Sequence, residues 1–128
     1  MTVVVTKMGA MLSLGATRGH QVKMDVPKVW NGEDGGMTPT ELFAAAVGGC
    51  SQFFLTKYLL AKGIDPKGTV VEVDYEMDER QTRITTMTFK IRFGESVPEE
   101  MKKGAGRAAS RCILHTTLEN SPALTTSW

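Results

Sequence analysis

The stretch from Thr38 to Lys62 limits the possible folds of this chain more than any other. It opens with TPTE, a capping box in which threonine is the N-cap, proline takes the first helical position and glutamate stands three residues after the cap. The helix continues through LFAAAVGGCSQFFLTKYLLAK, and we expect Gly63 and Pro66 to end it. Because its first four turns are apolar on nearly every side, the sequence predicts a buried central helix.

Strand patterns flank this helix on both sides. Residues 2–8 are rich in β-branched side chains, residues 20–27 alternate between apolar and polar, and the turn-rich segment 31–37 follows. After the helix, residues 69–78 and 87–93 alternate apolar with charged or polar positions, which predicts a β-hairpin. The outward row of the first strand is acidic and that of the second is mostly basic, so we expect the two rows to face each other.

A second helix is predicted beyond the hairpin. Ser96 and Glu99 form a second possible capping box, and the helix carries Cys112 before it ends near Asn120. The tail at 123–128 could add an edge strand. The order of strands, helix, hairpin, helix and strand predicts an α+β fold, with helices packed on an antiparallel sheet. Since the whole chain of 128 residues shows no linker or repeat, we expect a single domain over residues 1–128.

Composition excludes several classes of function. The net charge is +1 and neither sign is clustered, so the chain has no basic surface for nucleic acid or anionic membranes. No segment reaches the roughly 20 consecutive apolar residues of a membrane span. Residues 1–7 lack the pattern of an export signal, and the sequence therefore predicts a cytoplasmic location.

The two cysteines, Cys50 and Cys112, are the first candidates for chemistry. A static disulfide is not expected in a reducing cytoplasm. The only histidines are His20 and His115, and no C-x-x-C or H-x-x-x-H spacing is present, so we expect no zinc site and no cofactor. Two interpretations remain: a pair of inert buried thiols, which is the usual state of cysteine in a core, or a redox-active pair.

Small residues precede each cysteine. Gly48 and Gly49 lie before Cys50, and Gly104 and Gly106 lie before Cys112. Glycine within a helix costs about 1 kcal/mol relative to alanine, so its use here suggests a close approach to another backbone or to a ligand. Such an approach would allow the two thiols to meet, but composition alone does not decide between the inert and the redox interpretation.

One stretch of the sequence is similar to a known family. Residues 36–50, GMTPTELFAAAVGGC, resemble the signature of the OsmC/Ohr family, in which a helix start of this kind leads through small residues to a cysteine. The segment GATRGHQVKMD at 15–25 is also similar to members of the family, as is a second cysteine roughly sixty residues on, here in RCIL at 111–114. The order of strands and helices agrees over essentially the whole chain.

The resemblance implies a fold, a reaction and partners. It implies an intertwined homodimer with its active sites at the subunit interface. It implies that Cys50 attacks an organic hydroperoxide or hydrogen peroxide, that the resulting sulfenic acid condenses with Cys112, and that an external thiol reduces the disulfide. This chemistry suits cysteine, because the thiolate is the nucleophile and sulfenic acids condense readily with thiols.

The resemblance also implies an arginine from the N-terminal region beside the attacking thiol, oriented by a glutamate. Arg18 is the only arginine before Cys50 and is our candidate. The family glutamate lies ten residues before the cysteine, where this chain has Thr40, and the adjacent Glu41 is already assigned to the capping box. This departure leaves a second hypothesis, a non-enzymatic dimeric stress or ligand-binding protein whose thiols react weakly.

Further residues have more than one interpretation. His115 lies three positions after Cys112, so on a helix it could tune that thiol, although a satisfied, partly buried histidine is the simpler interpretation. An aromatic group fits the core or the dimer contact, and part of it fits an apolar pocket for an alkyl hydroperoxide; it comprises Phe43, Phe53, Phe54 and Tyr58.

Overall fold

The computed structural model describes residues 1–128 and confirms the α+β class. The chain separates into two compact units, Met1–Ala44 and Ala45–Trp128. None of the helices has the length and apolar character that crossing a membrane requires. In chain order the elements are β1 (Val4–Lys7), β2 (Ser13–Thr17), β3 (His20–Met24), a short 3₁₀ turn (Lys28–Trp30), α1 (Pro39–Ala61), β4 (Val70–Met77), β5 (Ile84–Arg92), α2 (Glu99–Ala109) and α3 (Ile113–Glu119).

The first unit contains a three-stranded antiparallel sheet in the order β1-β2-β3. Strand β2 was not predicted, because Gly15 and Ala16 have low β-propensity and only pairing on both sides makes this segment a strand. Arg18 and Gly19 form the two-residue turn between β2 and β3, with φ of 48° and 81°. Positive φ at both central positions matches the right-handed twist of the flanking strands.

The buried carboxylate of Asp25 organises the turn-rich segment that was predicted at 31–37. It accepts hydrogen bonds from the backbone N–H groups of Val26 at 2.8 Å, Glu33 at 3.2 Å and Gly35 at 2.9 Å. The bond from Gly35, followed by that from Val26, holds the pKa of Asp25 below its ordinary value, although burial acts in the opposite direction. The carboxylate thus has a structural role in this loop.

Helix α1 begins and ends as the sequence predicts. At its start the Glu41 carboxylate accepts from the Thr38 N–H at 2.8 Å, and the Thr38 hydroxyl accepts from the Glu41 N–H at 3.2 Å, which is the reciprocal capping box. At its end Gly63 has φ of 71°, and the Ile64 N–H bonds to the Leu59 carbonyl at 3.0 Å. This is a Schellman motif, which requires a left-handed residue at the glycine position.

The surface of α1 is divided between a buried stripe and an open face. Val47, Ser51, Leu55 and Leu59 recur at intervals of four and are at most 1% exposed. Outside this stripe Ala44 is also buried, whereas Phe53 is 64% and Leu60 59% exposed. In the single chain, therefore, the predicted central helix is buried mainly along one stripe, and its exposed apolar side chains are available for a further contact.

The second unit is built on the β4–β5 hairpin. The strands pair antiparallel, and their charged outer rows meet as predicted. Lys90 contacts Asp74 at 2.6 Å and Arg92 pairs with Glu72. Because all four side chains are well exposed, these ion pairs favour the register more than they add to stability.

The core of this unit is formed by α1, α2 and the hairpin. It consists of Leu55, Leu59, Val97, Ala105 and Ala109, with Tyr58, Ile64, Val71, Ile91, Phe93 and Met101 packed against it. Two of the four helix glycines are required by this packing. A Cβ at Gly104 would lie 2.0 Å from the Tyr58 hydroxyl oxygen, and one at Gly48 would lie 2.8 Å from a Val73 methyl group. Added Cβ atoms at Gly49 and Gly106 meet no atom within 4 Å.

The predicted second helix is in fact two helices, and this corrects the placement of Cys112. Helix α2 ends at Ala109, Cys112 is the N-cap of α3, and its backbone is extended with φ of −68° and ψ of 159°. Its thiol accepts a hydrogen bond from the N–H of His115, three residues on, as a serine or threonine cap would. The helical pattern continues through the break, so the sequence does not reveal it.

Two smaller predictions are also wrong. The capping box at Ser96 and Glu99 does not form, because Pro98 is the N-cap of α2 and no side chain caps that helix. The tail at 123–128 forms no strand; its residues are exposed and have no pairing partner within the chain. The capping box fails because the helix begins two residues later than Ser96 would place it, and the tail forms no strand because none lies beside it.

The contrast between Gly104 and Gly106 predicts opposite effects of the same substitution in α2. We expect Gly104→Ala to lower the free energy of unfolding by about 1–2 kcal/mol, because displacing the Tyr58 ring outweighs the gain in helix propensity. Gly106→Ala should leave it unchanged or raise it by up to about 1 kcal/mol. Urea denaturation of both variants measures this, and equal effects would contradict the assigned packing.

Candidate thiol site

The second unit brings Cys50 and Cys112 together. Cys50 lies on α1 and is partly exposed, whereas the Cys112 side chain at the N-terminus of α3 is 0% exposed. Both are free thiols. Each thiol influences the pKa of the other, which places the two side chains in the same neighbourhood.

Cys112 lies in a triangle of three side chains. Its sulfur is 3.3 Å from His115 Nδ1 and 3.8 Å from Ser51 Oγ, and the third side, from Ser51 Oγ to His115 Nδ1, is 3.4 Å. The backbone N–H of His115 donates to the same sulfur at 3.4 Å. The imidazole packs on the ring of Phe89 in β5, with centroids 4.4 Å apart. These contacts give His115 a defined position beside the buried thiol.

Two local features position the three members of the triangle. Ser51 belongs to the buried stripe of α1 and is 1% exposed, so its hydroxyl points into the unit. Cys112 and His115 are brought together by the cap geometry at the start of α3, in which the N-cap side chain faces the third residue of the helix. We did not single out Ser51 from the sequence; the buried i, i+4 stripe of α1 is the signal that could have pointed to it.

The surroundings of Cys112 favour its thiolate. Burial is the largest single influence and raises the pKa, but several hydrogen-bond donors together outweigh it. The His115 N–H is the strongest of these, followed by Cys50, the Ser51 hydroxyl and the Leu114 N–H. The net result is a Cys112 pKa below the ordinary value for a thiol, as expected for a sulfur surrounded by donors.

The surroundings of Cys50 act in the opposite direction. Burial raises its pKa most, and contact with the Cys112 thiol raises it further, while the N–H groups of Leu114 and Ile113 lower it in part. The opposite effects on the two sulfurs make Cys112 the more acidic thiol of the pair. Accessibility and acidity therefore belong to different thiols: Cys50 is the more accessible one, and Cys112 is the more acidic one.

Arg18 lies elsewhere in the chain. It is an exposed residue at the turn between β2 and β3 in the Met1–Ala44 unit, whereas both cysteines are in the Ala45–Trp128 unit. Its part in the chemistry therefore stays a prediction. Arg111, next to Cys112 in the sequence, is also exposed.

The sequence profile of the OsmC-like protein family matches residues 32–127, which include both cysteines, Ser51 and His115. The chain belongs to the OsmC-like family. The resemblance drawn from residues 36–50 is thus confirmed. No curated protein shows a significant sequence match to the chain.

Solved structures agree with the OsmC-like fold at low sequence identity. A protein from Psychrobacter arcticus 273-4 has a TM-score of 0.83 at 21% identity, covering 91% of this chain and 87% of that one. An OsmC-like protein from Mycoplasma pneumoniae has a TM-score of 0.79 at 16% identity, with coverages of 94% and 87%. The organic hydroperoxide resistance protein OhrB of Bacillus subtilis has a TM-score of 0.62 at 18% identity, with coverages of 94% and 93%.

The hydrogen bonds around the two sulfurs predict which thiol ionises first. We expect the thiolate absorbance near 240 nm to appear at lower pH in Cys50→Ser, where Cys112 remains, than in Cys112→Ser, where Cys50 remains. A lowered pKa means that the thiolate persists to lower pH, and serine keeps a hydroxyl donor at the substituted position. The reverse order of the two titrations would show that the donors around Cys112 do not control its ionisation.

Proposed function

We propose that this protein reduces organic hydroperoxides or hydrogen peroxide, with Cys50 as the attacking thiol and Cys112 as the resolving thiol, in defence against oxidative stress. The observation that carries the proposal is the pairing of two free thiols of which only Cys50 is partly exposed. A peroxide can therefore approach Cys50, whereas the buried Cys112 is inaccessible to it. Membership of the OsmC-like family supports the assignment, as does the fold shared with an organic hydroperoxide resistance protein.

The proposed reaction has three balanced steps. The Cys50 thiolate attacks one peroxide oxygen, so that an S–O bond forms, the O–O bond breaks, and an alcohol or water leaves after taking up a proton. The Cys112 thiolate then attacks the Cys50 sulfur, forming the S–S bond and releasing the sulfenic oxygen as water once it is protonated. Two equivalents of an external thiol reduce the disulfide and are themselves oxidised to a disulfide.

The first step requires that Cys50 lose its proton, although its pKa is raised. The Cys112 thiolate, which its hydrogen-bond donors favour, offers a neighbouring acceptor for that proton. The N–H groups of Leu114 and Ile113 favour the Cys50 thiolate once it forms. We propose that the Arg18 guanidinium adds positive charge at the site in the assembled protein, as the family resemblance implies.

We also propose that the protein is a homodimer. Each unit leaves large apolar side chains exposed, and a second copy of the chain is the partner that the family resemblance implies. In the first unit these include Val3, Val4 and Val5; in the second they include Phe53, Leu60, Ile113 and Leu118. Light scattering of the purified protein tests this assembly. A reducing cytoplasm is the compartment that supplies the external thiols this chemistry needs.

Substitution of each cysteine separates the two roles. We expect Cys50→Ser to abolish peroxide consumption, because no accessible nucleophile remains. Cys112→Ser should still consume about one equivalent of cumene hydroperoxide, but its sulfenic acid should persist and overoxidise, because no thiol resolves it. Peroxide consumption, free-thiol counting and intact mass measure these outcomes.

The matched control is Ser110→Ala, since that residue is exposed and lies two positions before Cys112. It should turn over at the wild-type rate. If Cys112→Ser turned over normally without overoxidation, the two-cysteine scheme would be wrong.

The proposed role of Arg18 predicts a selective loss of rate. We expect Arg18→Ala to oxidise Cys50 at least about tenfold more slowly, because each ~1.4 kcal/mol of lost thiolate stabilisation lowers the thiolate fraction tenfold. Arg80→Ala, which removes an exposed arginine from the β4–β5 loop, is the control and should keep the wild-type rate. Stopped-flow measurement of thiol oxidation distinguishes them, and equal rates would remove Arg18 from the mechanism.

A second candidate function is a non-enzymatic stress or ligand-binding protein of the same fold. The raised pKa of Cys50 and the presence of Thr40 in place of the family glutamate favour it. If both thiols stay reduced under peroxide concentrations that oxidise a reactive control thiol, this second function replaces the first.

A further inference from the structure

The two sulfurs of a Cys50–Cys112 disulfide would not be equivalent to an incoming thiol. Cys112 is 0% exposed and is enclosed by Ser51 and His115, whereas Cys50 is partly exposed. Thiol–disulfide exchange is a substitution in which one sulfur is attacked and the other departs. The sulfur that is attacked must be accessible to the reductant, and the sulfur that departs must form a stable thiolate.

We infer that the external reductant attacks Cys50 and that Ser51 and His115 act as positioning residues, holding Cys112 as the departing thiolate. The inference rests on the disulfide of the proposed function. In the reductive half of the cycle, Cys50 is then the sulfur that is attacked, and Ser51 and His115 stabilise the Cys112 thiolate that departs.

The geometry supplies three donors to a Cys112 thiolate. The His115 N–H at 3.4 Å donates in every state, because its direction is set by the helix backbone. The His115 ring donates from Nδ1 at 3.3 Å in the tautomer that carries its proton there, and the Ser51 hydroxyl can turn to donate at 3.8 Å.

The exchange is balanced without further reagents. The thiolate of the reductant attacks the Cys50 sulfur, a new S–S bond forms, and the Cys50–Cys112 bond breaks with its electron pair on Cys112. The departing Cys112 thiolate is then held by the His115 N–H and the Ser51 hydroxyl. A second reductant thiolate attacks the reductant's sulfur in the mixed disulfide, which releases Cys50 as a thiolate and a disulfide of the reductant.

The groups around this centre come from three elements. Helix α1 contributes Cys50, which titrates, and Ser51, which does not; β5 contributes the uncharged ring of Phe89 against the imidazole. His115 itself lies in α3. The Cys112 thiolate therefore depends on its hydrogen-bond donors from Ser51 and His115 and on the neighbouring thiol of Cys50.

Mapping the mixed disulfide in the wild-type protein tests the direction of attack. Diamide, rather than peroxide, forms the Cys50–Cys112 disulfide; glutathione is added briefly, free thiols are blocked with N-ethylmaleimide, and the peptides are identified by mass spectrometry. We expect glutathione on Cys50 and maleimide on Cys112. Glutathione on Cys112 with maleimide on Cys50 would overturn the inference.

Variants test the positioning residues. We expect Ser51→Ala and His115→Leu to slow glutathione reduction of the disulfide about five- to tenfold, because each removes a donor from the departing thiolate. Each should also move the Cys112 thiolate absorbance, followed in the Cys50→Ser background, to higher pH. Thr116→Ala, an exposed neighbour on α3, is the control and should change neither. A loss of rate without a spectroscopic shift would assign these residues a structural role only.

The outcomes distinguish this inference from the proposed function. If peroxide fails to oxidise the protein but the diamide-formed disulfide opens at Cys50, the inference stands and the peroxidase proposal falls. If peroxide turnover proceeds but glutathione opens the disulfide at Cys112, the peroxidase proposal stands and the inference falls. If diamide forms no Cys50–Cys112 disulfide, both fail.

Discussion

The packing of the buried stripe of α1 against the β4–β5 hairpin and α2 is the interaction on which the thiol site depends. Leu55 and Leu59 are fully buried in that core, and Ser51 lies one turn before Leu55 on the same stripe. Because a helix is rigid over a single turn, burying these leucines also determines where Ser51 points and where Cys50 stands beside it. The chemistry of the site is thus built on an ordinary apolar contact.

The two cysteines differ because of their surroundings, since their side chains are identical. Burial raises the pKa of both, but the donors around Cys112 outweigh that effect and those around Cys50 do not. The result is an accessible, less acidic thiol beside a buried thiol whose surroundings favour the thiolate. A pair of this kind suits disulfide exchange, in which a good leaving thiolate and a reachable sulfur are needed in the same place.

Helix α1 also has an open face that carries exposed apolar side chains. A helix that is apolar on nearly every side is expected to be covered on nearly every side. Within the chain the covered part is mainly one stripe together with Ala44, and Phe53 and Leu60 remain exposed. This distribution agrees with the proposed homodimer, in which a second copy would cover the remaining apolar surface.

The sequence by itself determined the features that depend on near neighbours. The capping box at Thr38 and Glu41, the glycine stop at Gly63 and the facing charges of the hairpin all follow from residues a few positions apart or from a period of two. The motif ending at Cys50 was also sufficient to indicate the OsmC-like family. Only the tertiary structure decided the break before α3, the N-cap position of Cys112 and the meeting of Ser51, Cys112 and His115. The meeting of Ser51 with Cys112 and His115 joins segments about sixty residues apart, and local propensity contains no information about which distant side chains will share one buried space.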